Sequence, residues 1–487
     1  MPNGGGERRV WSFCAEVAIV WFVQTAAWAQ APAQGDEPPP TDTVERRLRA
    51  LEETSRRKDE QIQLLQATVQ ALEQQQPTVP SAHTDDDVSR PDDEESLTTP
   101  YFFDIHRYKA QPYWPGAIRI PNTHISIQIG GFTWIDVIHD FNKIASPEQF
   151  IVAAIPVGTA TTANTGSQLS ARQSRLFFKT EWPWAVAPVT TYLDVDFFDP
   201  NNNVTLHLRD AYGEIGRRHG LRIFVGQTWS AFMDANILPS QLDYAGPVGI
   251  VNVLQPQVRL VVPLTGNQGK GSIKRLEWWL AVEATDPQVT VPTNVQATAF
   301  SEWPDVVTAV RWDHAHGHVV LAGVFRQIGV LPAVGSGVST VGYGGTCTGS
   351  LEHFWRKDQL LWSVGGGRAV AAYFGGSRAA GLNLDAFLQP DGSLSTTSLF
   401  AMMGSYQHYW WSDQFSSTAT YSVVRMFDLD AGTSSTFQRA RYFGANFQWF
   451  PKKRLMVGIE YLFGQRQNRD DQSADDNRLQ ASTQVNF

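Results

Sequence analysis

The clearest pattern in the chain is a period of two at its carboxyl end. In 478–487 the odd positions Leu479, Ala481, Thr483, Val485 and Phe487 are apolar or small, while Arg478, Gln480, Ser482, Gln484 and Asn486 fill the even ones. Side chains alternate across a strand, so the pattern predicts one greasy and one wet face. The same alternation recurs upstream. Ile125, Ile127, Ile129, Ile135 and Val137 fall opposite Ser126, Gln128, Trp134 and Asp136, residues 189–197 alternate against Tyr192, Asp194 and Asp196, and Leu221, Ile223 and Val225 alternate against Arg222 and Phe224. About ten such residues is the span of a bilayer-crossing barrel strand, and it is equally the length of an amphipathic edge strand in a soluble sandwich.

Before residue 118 the period changes. Val44, Leu48, Leu51, Ser55, Lys58, Ile62, Leu65, Val69 and Leu72 step by four and three, the seam of about four heptads with two polar interruptions. The expectation is a coiled coil over 41–76, which has nothing to bury its seam against unless copies associate. Pro77 and Pro80 end it, and the acidic text that follows, including Asp85-Asp86-Asp87 and Asp92-Asp93-Glu94-Glu95, predicts a flexible linker over 77–117. Residues 1–29, with Arg8 and Arg9, an apolar run and Ala27-Trp28-Ala29, are expected to be a signal peptide.

Composition narrows the class. Charged residues are 18% and hydrophobic ones 42% of the 487, which excludes a helical membrane protein of many spans but accommodates a membrane barrel, half of whose strand positions are polar. Tryptophan is abundant at 17, with Trp182 and Trp184, Trp278-Trp279 and Trp410-Trp411 near strand ends, as interfacial girdles require. The formal net charge of -9 comes largely from the amino-terminal part, since 124–487 hold 27 basic and 29 acidic residues. No nucleic-acid partner is expected. Of the two cysteines, Cys14 leaves with the signal, and Cys347 is left without an intrachain partner.

The carboxyl end also suggests topology. A strand over 441–450 leads through Pro451-Lys452-Lys453 into a second over 454–463, and the polar stretch 464–477 reads as a long loop before the last strand. One tight connection, one long one and a terminus on the tight side is outer-membrane barrel grammar. The body has room for roughly 16 strands of about ten residues. The expected fold is therefore an all-β transmembrane barrel over 118–487, of about 16 antiparallel strands, preceded by the helical coiled coil.

Where alternation fails, function is expected. Residues 228–247 carry Pro239, Gly246 and Pro247, yet also Trp229, Phe232, Met233, Ile237 and Leu238, too apolar to float in water. The expectation is a loop folded inward, with Thr228, Trp229, Asp234, Asp243 and Tyr244 at a constriction; latching onto a neighbouring subunit is the alternative. Facing it, Arg175, Arg222, Arg259 and Arg326 sit on wet strand positions, and Arg172 and Arg209 are nearby candidates. A guanidinium stays charged and grips a carboxylate with two parallel hydrogen bonds, so a row of them favours anions, with Asp234 and Asp243 opposite to make a transverse field. His314, His316 and His318 would share a face on one strand, but Gly317 suggests a turn, and no metal is expected there. No G-x-S-x-G, H-E-x-x-H or Walker motif is present, so no enzyme activity and no cofactor are expected.

Several stretches together, Gln173-Ser-Arg-Leu-Phe-Phe178, Asp196-Phe-Phe198, Leu208-Arg-Asp-Ala-Tyr-Gly-Glu214, Gly226 to Asp234, Leu242-Asp-Tyr-Ala-Gly-Pro247 and Gln255-Pro-Gln-Val-Arg259, resemble the DcaP-like porins of Gram-negative outer membranes. The resemblance implies a homotrimer of 16-stranded barrels in outer-membrane lipid, periplasmic coiled coils, an arginine-lined constriction, and passive diffusion of small anionic solutes such as dicarboxylates. It also implies recognition of Phe487 by the barrel-assembly machinery. Residues 264–435 match no motif of the family, and where an Arg-His pair is expected the chain has Arg209-Asp210. Within transport the alternative is a pore for neutral or sugar-like solutes that stack on Tyr192, Phe224 and Trp229. From another class it is a secreted oligomeric β-protein, an adhesin or lectin.

Overall fold

The computed structural model describes Arg56 and residues 117–487, apart from 122, 143, 159–165, 184–186, 199–204, 218–219, 266–272, 334, 354, 356 and 411–413. Apart from Arg56 and Ala117, the expected signal peptide, coiled coil and linker lie outside the described residues, as do Trp184 and Trp411.

Sixteen strands close into one antiparallel barrel. They are β1 (Ser126–Asp140), β2 (Gly166–Ser170 with Arg175–Trp182), β3 (Val189–Asp196), β4 (His207–Gly216), β5 (Arg222–Trp229), β6 (Leu254–Pro263), β7 (Ile273–Glu283) and β8 (Asp305–His314), followed by β9 (Gly317–Pro332), β10 (Val338–Glu352), β11 (Gln359–Arg368), β12 (Ser398–Tyr409), β13 (Phe415–Phe427), β14 (Phe437–Lys452), β15 (Leu455–Asn468) and β16 (Ser473–Asn486). Each pairs with the next. The ring closes where β16 pairs back to β1, from Phe132 with Asn486 to Asp140 with Arg478. Closure leaves no unpaired edge, which is what lets a sheet cross hydrocarbon.

The oily faces look outward. Ile129, Ile135, Val137, Leu193, Val225, Val258, Val457, Ile459, Leu479 and Val485 are exposed, while their neighbours Asp136, Asp194, Arg222, Glu460, Arg478 and Gln480 are buried inside. This is the inversion of a soluble barrel, and it marks the outer surface as one that faces lipid. At the rim of short turns Trp182, Trp312, Trp355 and Trp449 are exposed, forming an interfacial girdle. Trp279 does not belong to it, because its parity puts it inside at 2% exposure. Cys347 lies on β10 between Leu321 and Val364 of the flanking strands.

The expected long loop over 464–477 is not formed. β15 and β16 continue through it, pairing Gln465 with Asp475 and Gln467 with Ser473, so that only 469–472 turn. Backbone hydrogen bonds do not depend on side-chain polarity, so strands persist above the apolar band, where hydrophobic alternation no longer reports them.

The long connections gather at the opposite rim, and among the described residues three fold into the barrel: 144–155, between β1 and β2, where Phe150 and Val152 pack on Tyr442 and Leu462, and 230–253, between β5 and β6, and 369–397, between β11 and β12. The last two touch each other, with Asn252 N donating to Tyr373 O and Gly375 N to Ile250 O. Their side chains Phe232, Val251, Tyr373, Phe374 and Leu384 join one cluster with Val307, Ala309, Val320, Val324, Ala401 and Val424 of β8, β9, β12 and β13. On that arc the strands carry apolar residues on the inward face as well as the outward one. The expectation that every inward face meets water therefore fails there, because the loops bring the inner wall its own apolar partners.

Candidate channel constriction

The polar arc of the inner wall runs from β2 to β7, and four of the expected arginines meet on it. Arg209 on β4 donates to Asp196 at 2.8 Å and to the Tyr244 hydroxyl at 2.6 Å, and its Nε lies 3.7 Å from Asp194. Arg175 on β2 approaches the same Asp194 at 3.8 Å. Farther down the wall Arg222 donates to both oxygens of Glu277 at 3.0 and 3.1 Å, with Glu214 at 3.6 Å. Arg259 differs from these. It donates to Gln257 Oε1 at 2.9 Å and to the Trp229 carbonyl, stacks over Phe224 and Trp279, and has no carboxylate in ion-pair range among the described residues.

Length sets how these groups are layered. The side chains of Asp194, Asp196 and Glu277 are fully buried, whereas those of Arg175, Arg209 and Arg222 keep some exposure at 11%, 7% and 5%. The short acids line the wall and the long guanidiniums cover them. Asp194 Oδ1, Arg209 Nε, Asp210 Oδ1 and Arg222 Nε are buried and have no hydrogen-bond partner among the described residues.

Between the two ionic groups lies an aromatic row. Phe177, Tyr192, Tyr212 and Phe224, on four successive strands, have ring centroids 5.9, 5.7 and 5.8 Å apart. Tyr192 and Phe224 were expected on the wet parity, but the row as a whole depends on cross-strand register, including Tyr192 opposite Tyr212.

Two expected members lie elsewhere. Arg326, on β9 and 1% exposed, is held by Asp305 at 3.2 Å and Asp385 at 3.1 Å, with Tyr373 stacked on it. It fastens the 369–397 loop and does not extend the row. Arg172 belongs to the turn that interrupts β2 and bonds Glu148 at 2.6 Å.

The loop residues also sort differently from expectation. Thr228 and Trp229 are the last residues of β5, paired with Gln255 and Leu254. Asp234 and Asp243 do not stand opposite the arginines. Asp234 accepts from Thr348 at 2.9 Å and pairs with His318 Nε2 at 2.7 Å, while Asp243 accepts from Phe150 N at 2.9 Å and Gly246 N at 3.1 Å and lies 3.5 Å from Arg478. Both are anchors, because a buried carboxylate must be fully hydrogen-bonded or paired. Burial pushes the Asp243 carboxyl up, with Arg478 opposing. Burial also acts on Asp234, but His318 and Arg311 outweigh it and hold that carboxyl below its ordinary value. Glu460 completes the fastening by accepting from Leu242 N and Asp243 N at 2.8 and 2.9 Å. Of the loop set, Tyr244 and Trp229 join the arginines: Tyr244 donates to Asp196 at 2.7 Å and stacks on Phe198, while the Trp229 ring lies 5.5 Å from the Arg209 guanidinium and its carbonyl accepts from Arg259.

Of the three histidines only His318 faces inward; His314 accepts from His316 N across the turn, so they do not converge. Acids as partners of the arginines were missed, although Asp194 and Asp196 share their wet parity. His318 and Glu460 carried no local signal at all.

The architecture has a match among solved structures. The crystal structure of the outer membrane channel DcaP of Acinetobacter baumannii superposes with a TM-score of 0.63 over 76% of this chain and all of that one, at 17% identity. The barrel is a porin fold. Other solved structures similar to it include an anion-selective porin from Comamonas acidovorans (TM-score 0.47, 10% identity, 74% of this chain and 100% of that one) and OmpF of Salmonella typhi with daunomycin (0.48, 8%, 76% and 100%). No family model and no curated protein matches the chain. The 230–253 loop is fastened inside the barrel at separate points of the wall, to β9 and β10 at Asp234 and to β15 at Leu242.

Proposed function

We propose that the protein is an outer-membrane channel through which small anionic solutes diffuse passively. The observation that carries this reading is the layering of the polar arc, where guanidiniums cover buried carboxylates and Arg259 has no carboxylate in ion-pair range among the described residues. A carboxylate-bearing solute entering past Tyr244 meets donors from Arg209, Arg175 and Arg259 in turn, each able to replace water around its oxygens. Transport by this route uses no covalent chemistry and no cofactor. The resemblance to DcaP-like porins supports a homotrimer carrying its coiled coils in the periplasm, and recognition of Phe487 during assembly.

A specific feature favours a second reading. The row Phe177, Tyr192, Tyr212 and Phe224 offers stacking surfaces suited to sugar rings, and the acids beneath the arginines bring the net charge of the arc close to balance.

Reversal potentials in planar bilayers under a salt gradient decide between them. The anionic reading expects chloride to be favoured over potassium, with the preference reduced in R175A and R259A. Permeability ratios unchanged by either substitution overturn it.

A further inference from the structure

Guanidiniums on the outer surface behave differently from those inside. On β13, β14 and β15 the odd positions look outward: Tyr421, Phe443, Phe447, Trp449, Val457, Ile459 and Tyr461 are all exposed. Followed toward the long-loop rim, that same outward parity reaches Arg425, Arg439 and Arg441. Arg425 and Arg439 are direct cross-strand partners, and Arg441 lies opposite Val423 on the next outward rung. One rung nearer the bilayer centre is the aromatic pair Tyr421 and Phe443.

Like charges on directly opposed strand positions repel. Inside the barrel Arg222, Arg326 and Arg478 each have a carboxylate within about 3 Å. Outside, none of the three has one in ion-pair range among the described residues. Arg439 donates to Gln467 Oε1, Arg441 to Gln465 Oε1 at 3.4 Å, and Arg425 stacks over Phe427 at 5.1 Å. These amide oxygens are neutral, so they orient the guanidiniums without cancelling them. From Phe443 to Trp449 the apolar band runs six residues, about 20 Å along the strand. The cluster thus sits at its upper edge, at headgroup level, with donors spread over two adjacent strands and Phe400 and Met402 of β12 beside them as acyl-chain contacts.

We propose that Arg425, Arg439 and Arg441 form a binding site for the phosphorylated headgroup of a lipid in the leaflet facing the long loops. The proposal rests on the membrane-barrel reading. A phosphate monoester accepts several charge-assisted hydrogen bonds at once, which matches convergent guanidiniums, and its charge relieves their mutual repulsion. The aromatic rung below receives the lipid's chains.

The test is native mass spectrometry of the full-length protein in detergent, titrated with diphosphoryl lipid A, for the wild type, R425Q/R439Q/R441Q and a K452Q/K453Q control at the opposite rim. The proposal expects the triple variant to lose tenfold or more in affinity, the control to match the wild type, and millimolar inorganic pyrophosphate not to displace the lipid. Equal lipid A binding by the triple variant, an equal loss in the control, or a change in subunit number with binding intact overturns it. Displacement by pyrophosphate reassigns the cluster to free anions and also overturns it. Heat-modifiable migration of each variant on gels tests the underlying reading separately: a water-soluble chain that migrates alike with and without boiling sinks both.

Discussion

Asp234 and His318 meet at 2.7 Å although 84 residues separate them, one on the inward loop and one on β9. The contact pins the loop to the wall, and Thr348 and Arg311 close around the same carboxylate at 2.9 and 3.7 Å. D234N keeps the shape and removes the charge, leaving Arg311 and His318 with a weaker acceptor. It is expected to loosen 232–238 by about 1–3 kcal/mol, read as roughly fivefold or greater acceleration of amide hydrogen exchange in that segment. The pH dependence follows from the same carboxyl. Its folded value is held below the ordinary aspartate value, so its stabilisation is complete above pH ~4 and is lost as pH falls through the folded value. Exchange in 232–238 is expected to be flat from neutral pH to about 4, after correction for intrinsic rates, and to rise below that. Loosening that begins near pH 6 counts against Asp234 as the controlling group.

Gly249 sets how closely the loop approaches the wall. A Cβ there would stand 2.0 Å from the Met402 carbonyl oxygen and 3.1 Å from that of Val423. Backbone oxygens in a ladder cannot yield, so G249A is expected to push the loop into the lumen. Single-channel conductance and the temperature of heat-modifiable unfolding are both expected to fall; wild-type values for both show that the loop relaxes elsewhere.

The second inward loop depends on Arg326. R326M leaves Asp385 and Asp305 buried without a counter-charge and is expected to cost about 3–5 kcal/mol, whereas R326M with D305N and D385N recovers part of it. Burial already pushes the Asp385 carboxyl up, with Arg326 opposing. Denaturant unfolding of the three proteins in one detergent checks this, and a triple variant no more stable than R326M contradicts the pairing.

The aromatic row supplies a test of solute class. Y212A opens the middle of the series Tyr192, Tyr212, Phe224 and is expected to leave chloride-to-potassium selectivity unchanged while abolishing any block of current by neutral oligosaccharides. Loss of ion selectivity instead assigns Tyr212 to the anion path.

The strands and their orientation were legible because alternation is local. A residue's parity on β16 or β5 follows from its neighbours, and burial agreed with it from Leu479 to Val485. The inward course of 230–253 was legible too, since Phe232, Met233 and Ile237 had to be covered by something. The 369–397 loop was not: its apolar residues Ala371, Phe374 and Leu384 sit in text that resembles strand, and their partners lie on strands scattered along the chain.

By itself, then, the sequence determined which side of each ribbon is oily, because that property needs only near neighbours in the chain, whereas that the oily sides face outward was decided by closure of the barrel. The tertiary structure alone decided which charges meet. Arg175 and Arg209 share Asp194, Arg326 turns to Asp385, and Asp234 turns to His318, because an ion pair forms between groups that register and closure bring within a few ångströms. Sequence separation carries no information about that distance once a sheet has closed on itself.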